Sequence, residues 1–134
     1  MSHARPLSVL ISSRLPNGKL IIDALQSAGF ATMGLAELDL LAKARDSSPD
    51  VIVLSSDSGQ GWAKLVTQVH DQAGWRKPMI VVLAEHADVD GAKLARDAGV
   101  HLYAESPTDP SILVVFLRRF QAMLADIEGF DPMI

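Results

Sequence analysis

The sequence predicts a doubly wound α/β domain, in which a five-stranded parallel sheet lies between two layers of helices. Three observations support this fold class. Short segments rich in β-branched residues alternate five times with longer segments of helical spacing. The central segments VIVL (51–54) and MIVVL (79–83) are apolar throughout, as expected for parallel strands that helices cover on both faces. SAGF and DAGV each place a glycine at a helix end, before the next strand.

Each element has local support in the sequence. The predicted strands cover residues 7–11, 30–33, 51–54, 79–83 and 101–104, and the predicted helices cover 19–28, 37–45, 62–73, 89–98 and 110–127. The third helix has one apolar face at positions i, i+3, i+4 and i+7, formed by Trp62, Leu65, Val66 and Val69. Asp109 before Pro110 predicts the start of the last helix, because an aspartate caps free amides and proline has no N–H there to leave unbonded.

Length and composition indicate one domain over residues 1–127, with 128–134 as a tail or the start of a linker. The net charge of -4 is spread without basic runs, so we expect no direct nucleic-acid partner. The chain has no cysteine, which excludes disulfides and thiolate zinc sites and is compatible with a cytoplasmic location. The first apolar run is too short to span a membrane, and no membrane partner is expected.

The carboxyl ends of the predicted strands carry almost no charged side chains. Ligands of open parallel sheets bind at this edge. The residues that fall there are Ser12 and Ser13 at the first strand, Ser55 at the third, Leu83 and Ala84 at the fourth, and Glu105, Ser106 and Pro107 at the fifth. Mg²⁺ in proteins favours carboxylate ligands, and the serines at this edge offer only hydroxyl groups. A serine without a neighbouring base is also a poor nucleophile. We therefore expect no metal, no cofactor and no enzymatic activity at this edge.

Over residues 7–125 the chain resembles the receiver domain of bacterial two-component response regulators. The resemblance is clearest in PDVIVL (49–54), KPMIVVLAE (77–85) and DAGVHLYAESPTDPSILVVFLRRF (97–120). It implies a flavodoxin-like sheet of strand order 2-1-3-4-5 and a role in signal transduction through a phosphorelay. Tyr103 stands at the position of the family's aromatic switch residue.

The same resemblance implies that the phosphorylation chemistry is missing. Receivers hold Mg²⁺ with an acidic pair after the first strand and phosphorylate an aspartate that ends the third. A Thr or Ser ends the fourth strand, and a lysine follows the fifth. By spacing, the acidic pair falls on Ser12 and Ser13, the acceptor on Ser55, the hydroxyl on Leu83 and the lysine on Ser106. The chain is therefore identified as a degenerate pseudo-receiver.

Two alternatives at this edge remain open. A register shift of two residues would bring Asp57 to the acceptor position without changing which face each side chain occupies, although Ser12 and Ser13 would still leave it without metal ligands. The hydroxyl-rich segment SSRLPNG (12–18) could instead hold a phosphate group before the first helix.

The last helix carries two apolar stripes. Leu113, Leu117, Phe120 and Leu124 form the stripe predicted to pack on the sheet. The second stripe, displaced by one residue, is Ile112, Val115, Phe116, Arg119 and Met123. A second apolar face in a domain of this size predicts a surface for a protein partner or a homodimer. The alternative is that the tail folds back and covers this stripe with Phe130 and Met133.

These observations predict a phosphorylation-independent protein-interaction or dimerisation module in bacterial signalling. Two further hypotheses remain. The chain could be the amino-terminal receiver-like localisation domain of a larger protein, such as a pilus-assembly ATPase, a diguanylate cyclase or a transcription regulator. It could also bind a small ligand in the vacated pocket, where the serine hydroxyls would converge.

Overall fold

The computed structural model describes residues 7–15, 17–56, 61–72, 78–105 and 109–129. These residues form five strands and five helices in strict alternation. The elements are β1 (Ser8–Ser12), α1 (Gly18–Ser27), β2 (Ala31–Leu35), α2 (Glu37–Ser47), β3 (Val51–Ser55), α3 (Gly61–Gln72), β4 (Met79–Ala84), α4 (Val89–Ala98), β5 (Leu102–Glu105) and α5 (Ser111–Gly129). Every predicted boundary lies within two residues of the observed one.

All five strands are parallel and stand in the order β2-β1-β3-β4-β5. This confirms the predicted fold class and strand order. The central strands β3 and β4 are buried at every position, which explains their lack of alternation. None of the helices in the described part of the chain has the length and hydropathy required to cross a membrane.

Side chains alternate between two cores on the two faces of the sheet. Val53 and Val81 face α1 and α5, and Leu113 and Leu117 of α5 are buried against that face. The opposite core lies beneath α2, α3 and α4, where the predicted apolar face of α3 is buried, beginning with Trp62. The three central strands β1, β3 and β4 are thus covered on both sides, whereas the edge strands β2 and β5 are partly exposed.

Helix ends follow the local signals in the sequence. Gly29 and Gly99 adopt positive φ angles of 94° and 91°, as the SAGF and DAGV segments predict. An Asp109 carboxylate oxygen accepts a hydrogen bond of 3.0 Å from the Ser111 amide at the start of α5. This bond, together with one to the Ser111 hydroxyl, lowers the pKa of Asp109. Asp88 caps α4 in the same way, accepting a bond of 2.6 Å from the Gly91 amide.

The amino edge of the sheet holds polar groups that sequence reasoning did not single out. The buried carboxylate of Asp50 accepts a 2.9 Å hydrogen bond from the Ser8 amide, and the Asp50 amide donates to the Ser8 carbonyl. His101 likewise forms two hydrogen bonds with Ile80. Its Nδ1 atom accepts from the Ile80 amide, and its own amide donates to the Ile80 carbonyl. These bonds join neighbouring strands where the regular ladder begins.

Candidate functional site

The carboxyl ends of β1 and β3 bring buried hydroxyl groups together. Ser12 and Ser55 are both fully buried. Ile11 of β1 pairs with Val53 of β3, two residues before Ser13 and Ser55 respectively, and Ser55 itself pairs with Leu83 of β4. The Ser12 hydroxyl accepts a hydrogen bond of 3.2 Å from the Arg14 amide. Four of the five predicted pocket residues thus lie at one edge, and Ser106 lies outside the described residues.

This set of side chains does not fit a magnesium ion. The positions after β1 and at the ends of β3 and β4 offer two buried hydroxyls, one exposed hydroxyl and a leucine side chain, and Mg²⁺ in proteins favours carboxylate oxygens and retained water. Across the described ranges, no three His, Asp or Glu side chains are grouped as metal ligands. Asp57, the alternative acceptor, lies outside the described residues.

Three backbone amides of the SSRLPNG loop (12–18) donate hydrogen bonds to backbone carbonyls of the chain. The Leu15 amide donates to the Ser12 carbonyl, and the Gly18 amide donates to the Leu15 carbonyl. The Ser13 amide donates to the Leu35 carbonyl of β2, at 2.8 Å. A phosphate cradle needs amides that point outward without a partner. The loop geometry therefore does not favour the phosphate-binding hypothesis.

Tyr103 of β5 is half-buried beneath the start of α4. Its ring stacks on Trp62 with the ring centroids 6.4 Å apart and an interplanar angle of 23°. The Asp88 amide lies 3.4 Å from the tyrosine hydroxyl, and a Cβ atom at Gly91 would collide with that hydroxyl. The absence of a side chain at Gly91 therefore leaves room for Tyr103 to lie inward. The sequence pattern did not reveal this contact, because it joins residues twelve positions apart on different elements.

A cleft of about 590 Å³ opens beside this tyrosine, between α3 and α4. It reaches Ser56 beyond the end of β3 but is lined mainly by the β4–α4 loop and one side of α4. The full burial of Ser12 and Ser55 does not favour the hypothesis of an open, hydroxyl-lined pocket at the strand ends themselves. The acidic residues in DVDGAKLARD (88–97) were the only sequence signal of this cleft.

The last helix presents its two stripes in different ways. Leu113 and Leu117 are buried, and Phe120 and Leu124 pack partly buried on the same core, as predicted. In the second stripe, Ile112, Val115 and Met123 are exposed large hydrophobic side chains, and Arg119 is exposed. Phe116 differs from the others because it is partly buried and packs against the core. Phe130 and Met133 lie outside the described residues.

Comparison with known proteins rests on three-dimensional structure. The amino-acid sequence matches no protein-family model and no curated protein. A response regulator from Thermotoga maritima superimposes with a TM-score of 0.77 and 17% identity, over 88% of this chain and 99% of that chain. The chain has the receiver-domain fold. The resemblance expected from the sequence is thus confirmed at the level of fold.

Two further receiver structures support this assignment. The chemotaxis response regulator CheY4 of Vibrio cholerae has a TM-score of 0.74 and 21% identity, over 86% of this chain and 98% of that chain. The receiver domain of sensor histidine kinase PA1611 from Pseudomonas aeruginosa PAO1 has a TM-score of 0.72 and 20% identity, over 88% and 99% of the two chains. That structure holds a magnesium ion in its active-site cleft.

Proposed function

We propose that this protein is a receiver-like interaction module of bacterial two-component signalling that works without phosphorylation and without enzymatic activity of its own. One observation carries the proposal: the strand ends present Ser12, Ser13, Ser55 and Leu83 where phosphoryl transfer needs charge. A transferring phosphoryl group requires a metal or cationic clamp for its oxygens, and hydroxyl groups do not supply one. Binding to another protein, rather than phosphate, is then the input.

The burial of two of these serines supports the proposal further. Ser12 and Ser55 are closed off from solvent, and the hydroxyl of Ser12 is already engaged by the Arg14 amide. A phosphodonor would have to displace packed atoms to reach either group. Tyr103 is held inward by Trp62 and Gly91, which is consistent with a surface that stays in one state.

Acetyl phosphate tests the loss of phosphorylation directly. We expect the intact mass of the wild-type protein to stay unchanged after incubation with acetyl phosphate and Mg²⁺. An Asp57→Asn variant treated in parallel is the matched control, because it removes the remaining acceptor candidate near β3. A gain of one phosphoryl group by the wild type and not by Asp57→Asn would overturn the proposal and establish Asp57 as the acceptor.

The exposed stripe of α5 supports self-association as the mode of interaction. If about 300 Å² of apolar area were buried there, at roughly 25 cal/mol per Å², the gross gain would be about 7 kcal/mol. Association costs of about 4–15 kcal/mol are of the same order as that gain, so only a weak association is expected. We therefore propose a weak homodimer through α5, centred on the exposed Ile112, Val115 and Met123.

Sedimentation velocity over a concentration series tests this dimer. Ile112→Glu is the sharper variant, since Ile112 is 63% exposed whereas Phe116 also packs on the core. Leu20→Glu is its matched control, because Leu20 is 61% exposed on α1. We expect dissociation in Ile112→Glu and wild-type behaviour in Leu20→Glu. A wild type that stays monomeric, or equal weakening by both variants, would contradict dimerisation through α5.

A further inference from the structure

The cleft between α3 and α4 is a separate feature from the α5 stripe. Its floor is aromatic and apolar, formed by Tyr103, Trp62 and Leu94. The stack of Tyr103 on Trp62, which is 2% exposed, fixes the tyrosine ring in place. A rigid aromatic ring at the base of a cleft attracts flat cations such as a guanidinium group.

The rim of the cleft is acidic. Four carboxylates and one lysine line it: Glu85, Asp88, Asp90 and Asp97, with Lys93. Asp88 is already engaged as the cap of α4, but Glu85, Asp90 and Asp97 have no ion pair with another described residue. Four carboxylates against one lysine leave an excess of negative charge beside the aromatic floor. The charge therefore complements a basic ligand.

The arrangement of these groups also indicates the shape of the ligand. Asp90, Gly91, Lys93, Leu94 and Asp97 lie on one face of α4, at spacings of three and four residues. The seven steps from Asp90 to Asp97 rise by about 10 Å along the helix. An extended peptide in the polyproline II conformation covers about 9 Å in three residues, at roughly 3.1 Å each, and its three-residue turn places side chains i and i+3 on the same side.

We propose that this cleft binds an extended, arginine-bearing segment of a partner protein. One arginine lies over the ring of Tyr103 and pairs with Asp90, and a second, three residues along, pairs with Asp97. The chemistry favours arginine over lysine because a planar guanidinium stacks on a ring while bonding a carboxylate. This site is independent of dimerisation through α5, which uses another surface.

Two-dimensional amide NMR with the peptide acetyl-Arg-Ala-Ala-Arg-amide tests the proposal. We expect saturable shifts at the amides of Gly91, Leu94 and Tyr103, with a Kd of about 1 mM or tighter. The double variant Asp90→Asn/Asp97→Asn should weaken binding at least tenfold. Its matched control is Asp23→Asn/Asp39→Asn, which removes two exposed carboxylates from α1 and α2 and should bind as the wild type does.

Three results would overturn the proposal. The first is an absence of saturable shifts at the cleft amides. The second is equal weakening by both double variants, which would mean that the peptide responds only to the net charge of -4. The third is equally tight binding of acetyl-arginine-amide, which would assign the cleft to a small organic cation. Ile112→Glu should leave peptide binding unchanged, so peptide binding at the cleft and dimerisation through α5 are tested independently.

Discussion

The two edges of the sheet hold their polar groups in different ways. At the carboxyl edge, Ser12 and Ser55 are small neutral hydroxyls enclosed by the fold, and Tyr103 is placed by packing against a second ring. At the amino edge, a buried carboxylate, Asp50, and the imidazole of His101 bond directly to backbone amides of neighbouring strands. Ionisable groups thus lie where they join neighbouring strands, and uncharged hydroxyl groups are buried at the opposite edge.

This difference distinguishes groups that the fold itself requires from groups that only a chemical function would require. The first amides of a parallel strand need an acceptor when they are buried, whatever the protein does. Asp50 and His101 meet that need at the amino edge. At the carboxyl edge, the neutral side chains of Ser12 and Ser55 are buried without loss of the fold. We therefore expect substitutions at the amino edge to lower the free energy of unfolding more than substitutions at the carboxyl edge.

The largest effect is expected from Asp50→Ala. Removing the carboxylate leaves the part-buried Ser8 amide without this acceptor, and a hydrogen bond to a charged group contributes about 1.5–3 kcal/mol. Ser12→Ala at the other edge should lower the free energy of unfolding by only about 1 kcal/mol, because it removes one neutral bond. Urea denaturation measures both.

Asp46→Ala is the control for this pair, since the Asp46 side chain is 72% exposed and should change stability by no more than about 0.5 kcal/mol. Equal losses in Asp50→Ala and Ser12→Ala would remove the distinction between the two edges.

A smaller loss is expected from Gly91→Ala at the carboxyl edge. The new methyl group meets the Tyr103 hydroxyl, and overpacking of this kind costs about 1–3 kcal/mol, offset in part by the gain of about 1 kcal/mol from replacing a helical glycine. In a Tyr103→Ala background the same substitution should cost less, because only the close approach to the Asp88 carboxylate oxygen, at 2.8 Å, remains. A double-mutant cycle in urea measures the coupling, and additive effects would show that Gly91 does not position Tyr103.

The smallest effect on stability is expected from lowering the pH. Burial, and then the charge of nearby His70, lower the pKa of His101 from its ordinary value of 6.5. The folded state therefore binds fewer protons than the unfolded state, so this stability is fully present above pH 6.5 and is lost as the pH falls through the folded pKa. Protonation of Nδ1 also removes the bond from the Ile80 amide.

Unfolding curves at several pH values test this. The free energy of unfolding of His101→Asn should fall less below pH 6.5 than that of the wild type. His86→Asn, at an exposed position of the β4–α4 loop, should keep the wild-type decline. A His101→Asn variant with the full decline would assign the acid sensitivity to other groups.

The sequence by itself determined the alternation of strands and helices and their ends. Gly29, Gly99 and Asp109 mark helix boundaries through conformations and hydrogen bonds that involve only their near neighbours. The uniform burial of β3 and β4 was likewise readable from apolar runs, because parallel strands are covered on both faces. Each of these signals acts within one turn or one strand, so a linear pattern is enough to reveal it.

The stripes of α5 show where such patterns reach their limit. Helical spacing separated a buried stripe from a second apolar stripe, and Leu113 and Ile112 do differ in exposure as that spacing predicts. Spacing did not reveal that Phe116 turns partly into the core while Ile112 and Met123 remain exposed. That outcome depends on how the helix is rotated on the sheet, which neighbouring elements decide.

Only the tertiary structure decided which distant residues meet. Asp50 bonds Ser8 across 42 positions, and His70 meets the Gly99 carbonyl across 29. Strand order brings the first pair together, and the packing of α3 beside α4 brings the second. Such contacts depend on several elements at once, whereas periodicity reports on one element at a time. The acidic, aromatic cleft belongs to the same class, because its floor and its rim come from different elements that meet only in the folded chain.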